Sequence, residues 1–295
     1  MTVLDDAPAG IPFTHPGPPR PKPAVSRFRC ADTPEAITSR TCAGTGVFYS
    51  VDTMTENHAS DLYDAVNNWG PSDDFFLGFA TTIPGARVLD LGCGTGGLTI
   101  AAAKAGCTIT GVDPDRPSLQ AARAKPDAER VAWIDGNSRA IPANALFDVA
   151  LMTSNVVQEI LDDVELARSF ADIAAHLVPG GRLAFDSRDP NARGWEAWTK
   201  ERTHKIVRLP QGDSQHWYQT THADEQSGLV DFCAHEIGPD GIESVECGPL
   251  RFRSEDQLRA MLNEAGLIVD EVFGGYHGQP VGRGVGTLTF TGHRP

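Results

Sequence analysis

Apolar and polar residues follow two rhythms along this chain. From Arg87 to Phe185, short apolar runs closed by glycine or aspartate alternate with stretches whose apolar positions fall three or four apart. Arg87–Leu91, Thr108–Val112, Arg130–Ile134, Phe147–Met152 and Arg182–Phe185 read as strands. Gly97–Ala105, Pro114–Ala124 and Val164–Leu177 read as helices. In the last of these Leu166, Phe170, Ile173 and Leu177 share one face, and Pro179-Gly180-Gly181 stops it. This alternation predicts an α/β fold, a parallel sheet with helices on both faces.

Between residues 202 and 252 the period changes to two. Lys205–Leu209, His216–His222, Leu229–Ile237 and Ile242–Phe252 are separated by the turn signals Gln211-Gly212-Asp213, Gln226-Ser227-Gly228 and Pro239-Asp240-Gly241. They predict an antiparallel sheet of about four strands inserted into the α/β unit. Before the first strand, residues 57–80 suit two short helices broken at Gly70-Pro71. After the insert, Ser254-Glu255-Asp256-Gln257 is a capping box opening a helix that ends before Gly266. Leu267–Phe273 and Val285–Thr291 are the last strands. Residues 1–53 differ: seven prolines between Ala7 and Ala24 deny that segment a hydrogen-bonded ladder, and it reads as an extended or disordered tail. The expected organisation is a tail (1–53), a core (54–200), an antiparallel β lid (201–252) and a C-terminal completion of the core (253–295). Met54 opens the globular part and is the expected translation start.

Composition narrows the partners. The chain has 295 residues with a formal net charge of −14, so a polyanion such as nucleic acid or an anionic membrane is repelled unless a basic patch overrides the field, and no run of Lys and Arg supplies one. No apolar stretch is long enough to span a bilayer. The cysteines, at 30, 42, 93, 107, 233 and 247, form no C-x-x-C pair, and no histidine pair sits at metal spacing. They read as reduced thiols of a cytoplasmic protein without a metal.

The chemistry concentrates in Asp90-Leu91-Gly92-Cys93-Gly94-Thr95-Gly96-Gly97, between a strand and a helix. Glycines there let the chain turn sharply and let a ligand approach bare backbone. Gly92, Gly94 and Gly97 satisfy G-x-G-x-x-G, the pattern of a nicotinamide dinucleotide site, and Asp113 at the end of the next strand suits a ribose diol. Asp90 argues differently, because a carboxylate at the loop entrance sits badly beside a pyrophosphate and well beside a cation. Asp135-Gly136 closes the third strand, where an acid can accept from an exocyclic amine. Acids at three successive strand ends suit a ligand with a positive end, a ribose and an adenine. S-adenosylmethionine has those parts.

With Asp90–Gly96, Gly111-Val112-Asp113, Asp135-Gly136, Phe147-Asp148-Val149 and Leu177-Val178-Pro179-Gly180-Gly181 in this order, the chain resembles the class I S-adenosylmethionine-dependent methyltransferases from about residue 57 onward. The segment Asp186-Ser187-Arg188-Asp189-Pro190 with Arg193-Gly194-Trp195 resembles an actinobacterial-looking, small-molecule subgroup. The resemblance implies a Rossmann-like seven-stranded mixed sheet with its last strand antiparallel. It implies that Asp90 and the backbone of Gly92, Gly94 and Gly96 hold the methionine part, Asp113 the ribose and Asp135 with Gly136 the adenine, with Thr153 beside them. The expected activity is methyl transfer to a small molecule. A non-catalytic S-adenosylmethionine-binding protein and an NAD(P)-dependent oxidoreductase are the competing readings.

For the acceptor side the residues offer several candidates. Asn155 and Gln158 follow the fourth strand and can line a transfer site or merely cap a helix. Arg188 can clamp a substrate carboxylate or pair internally with Asp186 or Asp189. Tyr63, beside Asp64, can close the cofactor pocket or pack in the core. By alternation His216, Tyr218, Thr220 and His222 share one face of the insert, and either histidine can serve as a general base if that face looks into the cleft. Trp195 and Trp198 are expected to seal the lid onto the core.

Overall fold

A computed structural model describes residues 56–295; the expectations for the proline-rich tail and for Met54 lie outside the described residues. The elements in chain order are α1 (Glu56–Val66), α2 (Pro71–Ala80), β1 (Arg87–Leu91), α3 (Gly97–Lys104), β2 (Thr108–Asp113), α4 (Arg116–Ala124), β3 (Val131–Asp135), β4 (Phe147–Met152), α5 (Val156–Glu159), α6 (Asp163–His176), β5 (Leu177–Arg188), α7 (Lys200–Thr203), β6 (Lys205–Leu209), β7 (Gly212–Asp224), β8 (Leu229–Ile237), β9 (Glu243–Arg251), α8 (Glu255–Glu264), β10 (Ile268–Phe273) and β11 (Thr287–His293).

Seven strands form one sheet in the order β10-β11-β5-β4-β1-β2-β3, and β6-β7-β8-β9 form a second, antiparallel sheet. In the large sheet β11 runs antiparallel to both neighbours, and the pairs among β1 to β5 are parallel. Strand order reverses between β1 and β4, so a crevice opens at the carboxyl ends of β1, β2 and β4. Alternation along β1 sends Val88 to the α2/α3 face and Leu89 to the α6/α8 face. Phe170 of α6, Phe185 of β5 and Phe290 of β11 pack on that second face, the last two stacked at 4.6 Å. Local signals set the ends. Asp162 accepts the Val164 amide (2.7 Å) to start α6, and Ser254 and Gln257 cap α8 reciprocally.

Three expectations change. Pro179-Gly180-Gly181 does not separate α6 from a later strand; β5 begins at Leu177 and bulges there, and Gly180 and Gly181 exchange backbone hydrogen bonds with Arg294 (2.8 Å each). The cysteines are not all thiols. Register across β8 and β9 sets Cys233 opposite Cys247, Cα atoms 4.1 Å apart, and the two form a disulfide. Finally, β7 carries a bulge between Thr220 and His222, which turns the strand. His216 and Tyr218 face inward and are buried, whereas His222 is exposed and does not share their face.

Candidate functional site

The loop from β1 to α3 is built on three left-handed glycines, Gly92, Gly94 and Gly96, with φ of 83°, 53° and 76°. Two of them answer to the protein's own packing. A Cβ on Gly92 would lie 2.2 Å from Val156 Cγ2, and one on Gly96 would lie 2.5 Å from the Trp133 ring. Gly94 differs: the nearest described atom to a Cβ there is the Tyr63 hydroxyl, 4.0 Å away, so neighbouring packing does not demand glycine at this buried position. The Gly92 and Cys93 amides donate to Val112 O (2.7 and 3.2 Å), tying the loop to β2.

Asp113 ends β2 with no exposed surface, and its carboxylate takes the amides of Gly94 (2.7 Å) and Asp115 (2.9 Å). This acid holds the loop while lying at the crevice edge. Asp90 points to the α3 side, as its position in β1 requires, and accepts from Thr99 Oγ1 at 2.6 Å. Asp135, aligned with Asp113 across β2 and β3, is more exposed and pairs with Arg116 Nε at 2.7 Å. Gly136 follows it at a φ of 148°, a conformation that favours glycine, and its amide donates to Asp113 O.

Tyr63, Asp64, Asp90, Gly92, Thr153 and Glu159 line one cleft, with Asp73, Thr95 and Ser154 at its walls. The structure therefore brings Tyr63, Asp90, Gly92 and Thr153 together, and sets Asp113, Asp135 and Gly136 on the adjoining strand ends. Among the described residues, no lysine or arginine lines the cleft. Helix α1 is fastened over it: Asp64 accepts from Thr95 Oγ1 (2.7 Å) and pairs with Lys125 (2.6 Å), which also donates to Thr95 O. Past β4, Ser154 and Asn155 are both left-handed (φ 62° and 59°), costly for side-chain-bearing residues. Asp186 supports this turn by accepting the Asn155 amide and the Tyr276 hydroxyl, each at 2.7 Å.

Gln158 and Arg188 meet each other rather than the cleft: Arg188 Nη1 donates to Gln158 Oε1 at 2.9 Å. Of the neighbouring acids, Asp186 accepts the Asn155 amide and the Tyr276 hydroxyl, and Asp189 accepts the Asn191 amide. Trp195 and Trp198 pack with Tyr218, Phe232 and Phe252, joining the insert to the core. Lys125, Asp186, Tyr276 and Arg253 escaped the sequence reading. Asp186 alone carried a signal, as a further acid at a strand's carboxyl end.

His216 lies under the small sheet, opposite Lys205 and Glu236, with neither ring nitrogen hydrogen-bonded; His58 bonds Glu236 at 2.8 Å nearby. Burial, then the charges of Lys205 and His235, push its pKa down to about 4. Unfolded, the imidazole titrates near 6.5, so the native state binds fewer protons between those values. Its contribution is complete above pH 6.5 and is lost as pH falls toward 4, about 3 kcal/mol in all. Urea midpoints between pH 7 and 4.5 should decline less steeply for His216→Gln than for the unmodified chain; parallel declines would remove this role.

The methyltransferase domain family matches residues 88–181. The cypemycin N-terminal methyltransferase of a Streptomyces species is 30% identical over 237 residues, covering 78% of this chain and 92% of that protein. The ubiquinone biosynthesis O-methyltransferase of Idiomarina loihiensis is 32% identical over 133 residues, 45% of this chain and 54% of that one. Two solved structures share the fold: an S-adenosylmethionine-dependent methyltransferase from Clostridium acetobutylicum (TM-score 0.63, 18% identity, 80% and 95% covered) and the sugar N-methyltransferase KedS8 from a Streptoalloteichus species (TM-score 0.63, 19%, 89% and 99%). Taken with a left-handed glycine loop and a cleft bordered by acids, these similarities identify the chain as a member of the class I S-adenosylmethionine-dependent methyltransferases.

Proposed function

We propose that this enzyme methylates a small molecule at an amine nitrogen by in-line displacement, with the donor lying across the ends of β1, β2 and β3. The observation that carries the donor placement is Asp113, whose carboxylate fixes the amides of Asp115 and of Gly94, which lies between the cleft residues Cys93 and Thr95. The residues fit the donor's parts. Asp90 and the Gly92–Gly96 backbone would hold the methionine end, Asp113 the ribose, and Asp135 with Gly136 the adenine side. Thr153 would border the sulfur. When bound, the sulfonium supplies an electrophilic methyl group. The chain's own work is to orient, to exclude water beneath α1 and to balance positive charge with Asp64, Asp73, Asp90 and Glu159.

The nitrogen assignment rests on that acidic lining, which attracts an amine in its ammonium form and repels an anion, the ammonium losing a proton to solvent before the free amine attacks, and on similarity to a relative named as an N-terminal methyltransferase. The net charge of −14 favours a small acceptor over nucleic acid. This reading keeps the reaction in the cytoplasm; no helix among the described residues is long and apolar enough to cross a membrane. The dinucleotide alternative loses ground because Asp90 borders the cleft where a pyrophosphate would run.

Incubating the enzyme with methyl-labelled donor and separate panels of small amines, small alcohols, RNA and DNA tests the proposal. Label should enter an amine; label confined to nucleic acid or to hydroxyl oxygen would overturn it. Asp113→Ala should weaken S-adenosylhomocysteine binding by about 1–3 kcal/mol, the range for a lost charged hydrogen bond. Calorimetry checks this, and an unchanged dissociation constant removes the ribose assignment.

A further inference from the structure

We propose that Lys125 is a positioning residue acting through Asp64 and Thr95: it clamps α1 onto the donor loop and sets how strongly the cleft prefers the positively charged methyl donor to its uncharged product. The inference rests on the methyl-transfer reading above. Lys125 stands behind the cleft, and the two groups it holds both line it. Its ammonium meets Asp64 Oδ2 at 2.6 Å and donates to Thr95 O at 2.8 Å. Thr95 Oγ1 donates to Asp64 Oδ1 at 2.7 Å. The three residues close a ring of hydrogen bonds that uses both carboxylate oxygens of Asp64.

The backbone delivers Lys125 to this place. It is the C-cap of α4, with φ −75° and ψ 151°, and Pro126 follows it. A residue before proline is held extended, so the chain leaves the helix here and the side chain reaches the loop between β1 and α3. Helix α1 is also tied to the insert: Lys205 Nζ donates to Val66 O at 3.1 Å, and Leu62 packs with Val207 and Leu209. The helix thus joins the donor loop to the small sheet, while Tyr63, Asp64 and Asn67 line the cleft.

Charge gives this clamp a second consequence. Methyl transfer breaks the S–CH3 bond and leaves its electron pair on sulfur, so a sulfonium becomes a neutral thioether. Apart from the methyl group itself, donor and product differ by one positive charge. A residue with a purely mechanical role affects both ligands alike, whereas a charge beside the cleft changes their ratio. Lys125 offsets the charge of Asp64, one of the carboxylates bordering the cleft. The two side chains are 26% and 39% exposed, so solvent screens them only in part. Removing the ammonium makes the cleft more negative and favours the cationic ligand.

Calorimetry of S-adenosylmethionine and S-adenosylhomocysteine on the full chain, without acceptor and at low ionic strength, tests this. In Lys125→Gln the ratio of product to donor dissociation constants should rise about threefold or more, whatever the two constants do individually. Lys125→Arg keeps the charge and should keep the ratio. Thr95→Val breaks the ring without altering charge, and should weaken both ligands and leave their ratio unchanged. An unchanged or lower ratio in Lys125→Gln overturns the proposal, as does an equal rise in Thr95→Val; normal affinity for both ligands in Thr95→Val removes the clamp. Should Lys125→Gln not fold, Asp64→Asn decides by the opposite sign: the ratio should fall, and an unchanged or higher one overturns the proposal. Both nucleosides bound, with a ratio that no charge variant moves, removes this inference alone. Neither nucleoside bound by the unmodified chain removes the methyl-transfer reading beneath it.

Discussion

Arg253→Ala is expected to destabilise the enzyme by about 2–4 kcal/mol, chiefly by leaving peptide carbonyls without the charged donor that satisfies them. Arg253 is 2% exposed and sits where the chain returns from the small sheet to the core. Its guanidinium donates to Val157 O (2.9 Å), Ile160 O (2.8 Å), Leu161 O (3.2 Å) and Asp163 Oδ1 (2.8 Å). Burial pulls its pKa down while Asp163 pulls it back up, so the charge is held by one carboxylate and three peptide carbonyls. Truncation leaves those carbonyls without donors at the turn between α5 and α6. Lysine should rescue only partly, since one ammonium cannot reproduce the planar fork. Urea unfolding measures the effect; a loss below about 1 kcal/mol would show that water replaces the guanidinium at little cost.

Gly92→Ala should cost about 2–5 kcal/mol and abolish measurable S-adenosylhomocysteine binding. Two penalties combine: about 1–2 kcal/mol for a side chain in the left-handed region and about 1–3 kcal/mol for overpacking. The overpacking is severe because the new methyl meets Val156 Cγ2 at 2.2 Å, and Val156 is buried and stiff at χ1. Relief requires moving the loop or α5, and both border the donor cleft. Thermal unfolding and calorimetry together test this; a variant with normal melting and normal affinity would show that the loop's shape is not imposed by Val156.

Much of the large sheet can be read from residue order, because each strand is a short apolar run closed by glycine or acid, and the helices carry caps such as Ser254 and Gln257. The loop glycines and Asp113 are legible for the same reason: they are local. What failed was register. Alternation placed His222 with His216, and one extra residue at Thr221 moved it to solvent, a change no local pattern signals. The disulfide was within reach. A hairpin closing at Pro239-Asp240-Gly241 pairs Ile237 with Glu243 and, further out, Cys233 with Cys247. Arg253, Lys125 and Tyr276 act on groups distant in sequence, and nothing in their surroundings announces such partners.

The insert is attached to the core at two places, departing after Arg188 and rejoining at Arg253. Everything between those anchors can lengthen, shorten or change its surface while the strand ends that face the methyl donor keep their spacing. Grafting a different span between these two arginines therefore tests whether the insert sets acceptor preference on an unchanged donor-binding frame.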